Sequence, residues 1–340
     1  MAHSVSSTTQ TAQPLLSLRH VSTEFQTPKG VLRAVQDVSL DVMPGECVGI
    51  VGESGSGKSV TFSSVMGLIR APGRVSGGQV LFDGTDLRTL SPAGMRAVRG
   101  KQIAMTMQDA LTALNPGLTV ERQLTEVIVA HDDEVAALPR WQRQREARAR
   151  ALDMLTLVGI PSPETRLKDY PHQFSGGMRQ RIMIAIALAC KPRLLIADEP
   201  TTALDVTIQA QVLELIASLR QRLGMSVVLI THDLGVVAEQ CDRVVVMYAG
   251  QVVETGTTAE VIASPKHPYT QGLLQATPRV ENLSAPVRPI PGTVPNLINF
   301  PAQCHFHARC DHRSDACLRD IPLRFEPHRH LARCIRTNES

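Results

Sequence analysis

A glycine-rich loop between a short apolar strand and a helical segment constrains this chain more than any other feature. The loop is Gly52-Glu-Ser-Gly-Ser-Gly-Lys-Ser59, and the apolar run Val48 to Val51 precedes it. Glycines in such a loop let successive backbone N–H groups converge on phosphate oxygens, and the next helix adds the positive end of its dipole. The pattern predicts a nucleotide-binding P-loop, and the preceding strand disfavours the alternative, a Gly/Ser surface turn.

The end of this loop carries the side chains that act on phosphate. The Lys58 ammonium can reach the β- and γ-phosphates of a nucleoside triphosphate, and the Ser59 hydroxyl can bind Mg²⁺. The residues predicted to contact the nucleotide through the loop are Gly52, Ser54, Gly55, Gly57, Lys58, Ser59 and Val60.

A second apolar strand ends in two adjacent carboxylates. Leu194 to Ala197 is followed by Asp198 and Glu199. An aspartate at a strand end suits Mg²⁺ held through water, and the next glutamate can polarise the water that attacks a phosphate. A strand that ends in a solvated acidic turn is the alternative, and a P-loop in the same chain argues against it.

The composition excludes several other classes of protein. With 35 basic and 32 acidic residues the formal charge is only +3, so charge alone indicates no nucleic-acid partner. Aromatic residues make up 3% of the chain, which disfavours binding by base stacking. The N-terminus lacks an apolar leader and no apolar run approaches the length of a transmembrane helix, so we expect neither a membrane span nor a secreted disulfide framework.

The order of further motifs resembles the ATP-binding-cassette (ABC) ATPases. Phe174-Ser-Gly-Gly-Met-Arg-Gln-Arg181 is similar to the signature loop of that family and lies between the P-loop and Asp198. Phe174 and Met178 depart from the common Leu-Ser-Gly-Gly-Gln, whereas the serine and both glycines are present. The resemblance covers residues 15–276 and implies an α/β fold, a P-loop ABC nucleotide-binding domain with a RecA-like core and a helical subdomain at about 110–188.

The resemblance also implies catalytic and metal-binding roles. Gln108 follows an apolar strand and matches the Q-loop glutamine, which would join Ser59 and Asp198 at Mg²⁺. His232 follows another strand and matches the switch histidine. Glu199, His232 and Gln108 are therefore the expected catalytic residues, and ATP with Mg²⁺ is the expected ligand.

Other residues are implied to act between subunits or on the base. In the family, Ser175, Gly176 and Gly177 would contact the γ-phosphate held by the P-loop of a second subunit in a head-to-tail dimer. Asp205 matches the D-loop aspartate beside them. Phe25 is the aromatic residue expected to stack on adenine.

Periodicity predicts a sheet of parallel strands covered by helices on both faces. The expected strands are 38–42, 47–51, 79–82, 103–107, 194–197, 226–230 and 243–248, with helices after Lys58, across the stretch 111–189 and at 208–223. The predicted units are a disordered leader at 1–14, the ATPase domain at 15–276, and a small Cys-rich C-terminal extension at 277–340 that begins with a proline-rich linker.

Longer stretches resemble one branch of the family, the ATPase subunits of bacterial oligopeptide/dipeptide importers. They are Tyr170–Arg181, Ala197–Gln211, His267–Thr270 and Ile290–Gly292. The resemblance implies an ATP-hydrolysing subunit that energises peptide import from the cytoplasmic face of the cell (inner) membrane. Its partners would be a second ABC ATPase subunit, two membrane permeases and an extracytoplasmic solute-binding protein.

Three alternatives stay open at this point. Importers of nickel, glutathione or another solute belong to the same branch, and a soluble ABC ATPase is a rival enzyme. A nucleotide- or redox-sensing regulatory module is a rival that does not hydrolyse ATP, and the presence of Glu199 and His232 argues against it. The basic stretch Arg140 to Arg150 could face a permease or lipid, although such runs are more often solvated helix faces.

Four of the seven cysteines lie in the C-terminal extension, which is too short and polar to build its own core. They are Cys304, Cys310, Cys317 and Cys334. A metal centre would stabilise such a segment, and spacing alone chooses neither zinc nor iron, although paired C-x-x-C knuckles typical of zinc sites are absent. Members of the importer branch with a similar tail carry a [4Fe–4S] cluster, which is what the resemblance implies here; zinc and no metal are the alternatives.

The surroundings of these cysteines fit a metal centre. Arg309, Arg313 and Arg333 would offset the charge of four thiolates. Five histidines in the extension keep a mixed site open: His305, His307, His312, His328 and His330. The other three cysteines, Cys47, Cys190 and Cys241, are expected to be buried core thiols.

Overall fold

The computed structural model describes residues 13–202, 204–276, 289–323, 326 and 329–337. The predicted leader falls almost entirely outside the described residues, as does the first half of the predicted proline-rich linker. Ala203 and His328 also lie outside them.

Two sheets and a set of helices make up the described chain. The strands are β1 (Leu16–Thr27), β2 (Gly30–Val42), β3 (Cys47–Val51), β4 (Gly73–Phe82), β5 (Thr85–Asp86), β6 (Ile103–Thr106), β7 (Leu194–Asp198), β8 (Ser226–Thr231), β9 (Arg243–Tyr248), β10 (Gln251–Thr257) and β11 (Leu331–Ala332). The helices are α1 (Lys58–Val65), α2 (Pro92–Val98), α3 (Ala110–Ala113), α4 (Val120–His131), α5 (Asp133–Ala136), α6 (Arg140–Leu157), α7 (Pro163–Arg166), α8 (Gly176–Leu188), α9 (Val206–Leu223), α10 (Leu234–Gln240), α11 (Thr258–Ala263) and α12 (Pro268–Ala276).

The larger sheet has seven strands in the order β11-β10-β9-β3-β8-β7-β6. The five strands from β9 to β6 are parallel, as expected from their continuous apolar runs, whereas β10 and β11 add an antiparallel edge. A second, antiparallel sheet has the order β2-β1-β4-β5. The predicted α/β class is confirmed, with this antiparallel part added.

Alternate residues of the central strand join the two cores that cover the large sheet. Val48 and Ile50 pack with the apolar residues of the antiparallel sheet and with Phe62 of α1. Cys47 and Val51 pack on the other face with residues of the helices from α4 to α9. Because a strand alternates its side chains between faces, five residues suffice to anchor the start of the P-loop in both cores.

The stretch expected to be helical contains α3 to α8, and α6 ends at Leu157, just before Gly159 and Pro161. Strand β1, the first half of β2, and β10 were not expected, since their polar and apolar residues are mixed. Three register shifts also interrupt the β1–β2 pairing. Helices α2, α10, α11 and α12 and the short strands β5 and β11 were also missed. Within the described residues, no helix is both long and apolar enough to cross a membrane.

The C-terminal extension shares the core of the cassette. Strand β11 pairs with β10, with Ala332 opposite Glu254. Phe306 is buried against the rings of Tyr248 and Tyr269, with centroids 5.2 Å and 5.5 Å apart. A segment that cannot build a core of its own therefore gains stability by completing the core formed by the preceding part of the chain.

The three cysteines outside the extension do not all behave as expected. Cys47 and Cys241 are buried, and their sulfur atoms lie 3.5 Å apart. Cys190 is only half-buried, because it lies at the end of α8 beside an open cleft that Asp132 and Arg150 also line. The prediction of three buried core thiols is thus wrong for Cys190.

Candidate nucleotide site

The predicted catalytic residues meet at the carboxyl edge of the parallel sheet. The P-loop follows β3, Gln108 lies two residues beyond β6, Asp198 ends β7 with Glu199 directly after it, and His232 follows β8. In open parallel sheets ligands bind at this edge, because the loops that leave the strands gather there. The strand order therefore brings together residues that are more than 100 positions apart in sequence.

Two glycines of the P-loop are required by close backbone contacts. A Cβ atom at Gly57 would lie 2.6 Å from the Ala34 carbonyl oxygen, and the residue has a φ of 98°, which favours glycine. A Cβ atom at Gly52 would lie 2.1 Å from the Met247 carbonyl oxygen. The loop is thus wedged between β2 and β9, while Ser54 and Gly55 are exposed at its tip.

The Lys58 side chain curls back over the loop. Its ammonium donates to the carbonyl oxygens of Gly52 and Glu53 at 2.7 Å and 3.0 Å, and the residue is 5% exposed. Burial lowers the pKa of Lys58, and the carboxylates of Glu199, Asp198 and Glu53 oppose that shift. The ammonium is held at the base of the loop among carboxylates, where a polyphosphate would complete its charge pairing.

Two of the three predicted Mg²⁺ ligands are already in contact. The Ser59 hydroxyl donates to Asp198 Oδ1 at 3.0 Å, which joins the first turn of α1 to the end of β7. Burial raises the pKa of Asp198, and the hydrogen bond from Ser59 opposes the shift. Gln108, the third, uses its amide nitrogen on Glu199 at 2.9 Å, so its carbonyl oxygen stays available.

One oxygen of Glu199 is the focus of the site. Its Oε2 accepts from Gln108 Nε2 at 2.9 Å and from the Thr202 hydroxyl at 2.8 Å, and His232 Nδ1 lies 3.8 Å away. The side chain is 15% exposed, whereas that of His232 is 65% exposed. A half-buried carboxylate held by two donors is aimed rather than free to rotate, which suits a group that polarises a water molecule.

The backbone at Glu199 is constrained as well. Its φ is +44°, a conformation uncommon for residues other than glycine, and its N–H donates to the Ile230 carbonyl oxygen at 3.0 Å. Such conformations persist only where surrounding contacts fix them, and they cluster at functional sites.

The signature loop lies away from this cluster. Ser175 caps helix α8 by accepting from the Met178 N–H at 3.4 Å, and Ser175 and Gly176 are exposed. Across the described residues, no hydrogen bond or ion pair joins residues 175–177 to residues 52–59. Phe174, which departs from the family pattern, is 3% exposed in the core and keeps the apolar character of the common leucine.

Asp205 and Phe25 occupy separate places. Asp205 caps helix α9, with its Oδ1 accepting from the Ile208 N–H at 2.9 Å. Ile208 in turn lies against Gly177, where a Cβ atom would meet its Cγ2 at 2.6 Å, so the D-loop and the signature loop are packed together. The half-buried Phe25 lies in β1 opposite Leu32, with its ring over Gly73. Its adenine-stacking role stays a prediction.

The comparison with known proteins decides the family. A family profile described as "ABC transporter" matches residues 35–202, and one described as "Oligopeptide/dipeptide transporter, C-terminal region" matches residues 253–317. The dipeptide transport ATP-binding protein DppD of Bacillus subtilis is 51% identical over 311 residues, which are 91% of this chain and 90% of that protein. The chain belongs to the ABC transporter ATP-binding proteins. It is an ATPase of that family.

Two further similarities support the assignment of this ABC ATPase. The oligopeptide transport ATP-binding protein OppD of Salmonella typhimurium is 45% identical over 335 residues and covers 97% of each chain. A solved structure, described as a dimeric post-hydrolysis state of the ATP-binding cassette MJ0796 bound to ADP and Pi, superposes with a TM-score of 0.62 at 27% identity. It covers 72% of this ABC ATPase and 98% of the MJ0796 cassette.

The four cysteines of the extension line one small cavity. The cavity has a volume of about 20 Å³, and its walls include Cys304, Cys310, Cys317 and Cys334. Burial, together with the other three thiols, raises the pKa of Cys304 to about 11. Among the described residues, however, no three side chains of His, Cys, Asp or Glu converge closely enough to hold an ion.

The neighbours of the cavity differ from those expected. The guanidinium groups of Arg309 and Arg333 pair with Glu53 and Asp37 instead of offsetting thiolate charge, so that expectation is wrong for both. Of the described histidines in the extension, His307 and His312 line the cavity. The other two are bonded elsewhere, His305 to the Ala249 carbonyl oxygen and His330 to Glu254.

Sequence reasoning missed three contacts of the ABC ATPase site. The hydrogen bond from the Thr202 hydroxyl to Glu199 was not predicted, because the sequence assigned Thr202 only to the D-loop match. The hydroxyl of Tyr269 accepts from the Glu53 N–H at 2.8 Å, and Arg309 binds the Glu53 carboxylate. Nothing local in the sequence points from these two residues to a loop more than 200 positions away.

Removal of the Thr202 hydroxyl tests whether ATP hydrolysis depends on the orientation of the Glu199 carboxylate. In Thr202→Val, loss of one of the two close donors to Glu199 should lower kcat for ATP hydrolysis by about 3- to 10-fold while the KM for ATP stays within twofold. Thr201→Val is the matched control, since the Thr201 side chain makes no hydrogen bond to the described residues. Steady-state ATPase rates measure both, and an equal loss in the two variants would contradict the role of Thr202.

Proposed function

We propose that this chain is the ATP-hydrolysing subunit of a membrane ABC importer for di- and oligopeptides. The observation that carries the proposal is the match of residues 253–317 to the C-terminal region of oligopeptide/dipeptide transporters. The names of the relatives, a dipeptide transport protein for DppD and an oligopeptide transport protein for OppD, support the same solute class. Nickel, glutathione or another solute of the branch, and a soluble ABC ATPase, are the alternatives.

We assign the chemistry to the residues at the sheet edge. The P-loop from Gly52 to Val60 would cradle the phosphates, with the Lys58 ammonium on the β- and γ-phosphates. Ser59, Asp198 and the carbonyl oxygen of Gln108 would surround Mg²⁺, an ion that prefers oxygen ligands. The contact between Ser59 and Asp198 and the orientation of Gln108 support this set.

Hydrolysis would follow from the position of one carboxylate. Glu199 would polarise the attacking water, and His232 and Gln108 would orient the reacting groups around it. Positioning and charge stabilisation supply most of the rate enhancement in phosphoryl transfer, so aimed side chains matter more than covalent chemistry. The hydrogen bonds that fix Glu199 support this role.

The site would be completed by a second subunit. Ser175, Gly176 and Gly177 would cap the γ-phosphate bound by the partner cassette, with Asp205 beside them, in a head-to-tail dimer. The exposure of Ser175 and Gly176, and their separation from this chain's own P-loop, support an intermolecular role. The MJ0796 cassette with ADP and Pi is described as dimeric, which favours the same arrangement.

The remaining assembly follows from the proposed class of transporter. Two membrane permeases and an extracytoplasmic solute-binding protein would be the other partners, and the ATPase would lie peripherally on the cytoplasmic face of the cell (inner) membrane. We also propose the division into a leader at 1–14, the ATPase domain at 15–276 with its helical subdomain at about 110–188, and the extension at 277–340.

The decisive experiment is peptide-dependent hydrolysis by the whole transporter in vesicles. Di- or oligopeptides presented with the binding protein should stimulate ATP hydrolysis and accumulate inside, whereas nickel and glutathione should not. Glu199→Gln is the matched control, since it should retain ATP binding while hydrolysis and import are lost. Stimulation by nickel or glutathione but not by peptides would overturn the proposed solute, and hydrolysis that no solute affects would favour a soluble ABC ATPase.

We further propose that the four cysteines of the extension bind a [4Fe–4S] cluster, with zinc as the alternative. An all-thiolate donor set suits either, and the four thiols share one cavity. The cavity has room for one water-sized occupant, so the side chains would move apart around a four-iron cluster. When bound, the cluster would supply a structural staple or a redox sensor, and ATP hydrolysis would need no electron from it.

Metal analysis separates these alternatives. Protein purified without oxygen should contain about four iron atoms per chain and absorb visible light near roughly 400 nm if the cluster is present. One zinc per chain without that absorbance would show that the cysteines bind zinc instead of the cluster. Absence of both metals would contradict the proposal of a metal centre.

A further inference from the structure

The C-terminal extension reaches the P-loop through one arginine. Arg309 ends a short 3-10 turn, His307–Arg309, and its side chain is 5% exposed. Its two terminal nitrogens donate to the two carboxylate oxygens of Glu53, at 2.8 Å and 3.1 Å. A bidentate pair of this kind fixes direction as well as distance, and lysine cannot reproduce it.

The guanidinium group has no freedom to turn away. Its Nε donates to the Pro291 carbonyl oxygen at 2.8 Å, and one terminal nitrogen also donates to the Ile290 carbonyl oxygen at 3.1 Å. The group lies over the rings of Tyr248 and Phe306, 5.6 Å and 5.9 Å from their centroids. Residues of the extension and of strand β9 therefore hold the Arg309 side chain in the direction of the P-loop.

Glu53 is the second residue of the P-loop and is held from three sides. Its N–H donates to the Tyr269 hydroxyl at 2.8 Å, its carbonyl oxygen accepts from the Lys58 ammonium at 3.0 Å, and its carboxylate meets Arg309. Arg309 is thus linked through a single residue to the ammonium expected on the ATP phosphates.

The charge of Glu53 gives this link a consequence for nucleotide binding. An unpaired carboxylate in the P-loop would repel the triphosphate, and the repulsion is strong where groups are partly removed from water. The Glu53 side chain is 28% exposed, so water screens it only in part. Arg309 places a compensating positive charge directly on it.

We propose that Arg309 is a positioning residue for the P-loop, which holds Glu53 in place and cancels its charge so that the C-terminal extension sets the affinity of this ATPase for ATP. The inference rests only on ATP binding and not on peptide import or on a metal in the cysteine cavity. Arg309 lies in the region matched by the peptide-transporter profile, beyond the residues matched by the general ABC profile.

The test is a double-mutant cycle read out by ATP affinity. Arg309→Gln in the full chain should raise the dissociation constant for ATP about tenfold, because Glu53 is left unpaired beside the phosphates. The kcat at saturating ATP should change less than twofold. Glu53→Gln should bind ATP more tightly than Arg309→Gln does, because it removes the carboxylate that would repel the phosphates. The double variant should recover most of the lost affinity, because it removes both charges together. Arg309→Lys should bind ATP with an intermediate affinity.

A second buried arginine of the extension is the matched control. Arg333 also directly precedes a cysteine of the cavity and is 5% exposed, but it pairs with Asp37 of β2 at 3.2 Å, away from the P-loop. Arg333→Gln should lower the thermal midpoint of unfolding and leave the ATP dissociation constant within twofold of wild type. If Arg309→Gln fails to fold, Glu53→Gln and Arg309→Lys still give the comparison.

Three results would overturn the proposal. They are an unchanged ATP affinity in Arg309→Gln and Arg309→Lys, an equal loss of affinity in Arg333→Gln, and a double variant no better than Arg309→Gln. The last two would mean that Arg309 only fastens the extension to the cassette. None of these results depends on which solute is imported.

Discussion

The structure depends on a constraint of parallel sheets, that the loops leaving their strands gather at one edge. Strand β3 is buried in both cores, so the P-loop starts from a fixed point, and close backbone contacts at Gly52 and Gly57 wedge it there. Asp198 and Glu199 reach the same edge from β7. The same constraint leaves the signature loop elsewhere, at the start of α8, which is why a complete ATP site is proposed to need a second cassette.

The C-terminal extension makes a second set of contacts that position the P-loop at this edge. It shares the core through Phe306, extends the sheet through β11 and reaches the P-loop through Arg309. Two arginines that each precede a cysteine of the cavity are anchored to the cassette, one at the P-loop and one at β2. Arg309 therefore joins the segment that carries the cavity to the P-loop, and Arg333 joins it to β2.

Sequence alone predicted the parts of the fold that depend on local pattern. Continuous apolar runs located the parallel strands, and the motif order located Lys58, Asp198, Glu199 and His232. Mixed polarity concealed β1 and β10, since an antiparallel strand with register shifts has no clean period. The bond from Arg309 to Glu53 could not be predicted, because it joins residues 256 positions apart and no local pattern in the sequence pairs them.

The claim that each ATP site spans two cassettes is tested most directly with Ser175→Arg. The isolated chain should bind ATP with a dissociation constant within twofold of wild type, because Ser175 does not serve its own P-loop. In the assembled transporter ATP hydrolysis should fall at least about 100-fold, because the partner's γ-phosphate loses its cap. Weakened ATP binding by the isolated chain, or hydrolysis that continues at the wild-type rate, would contradict this account.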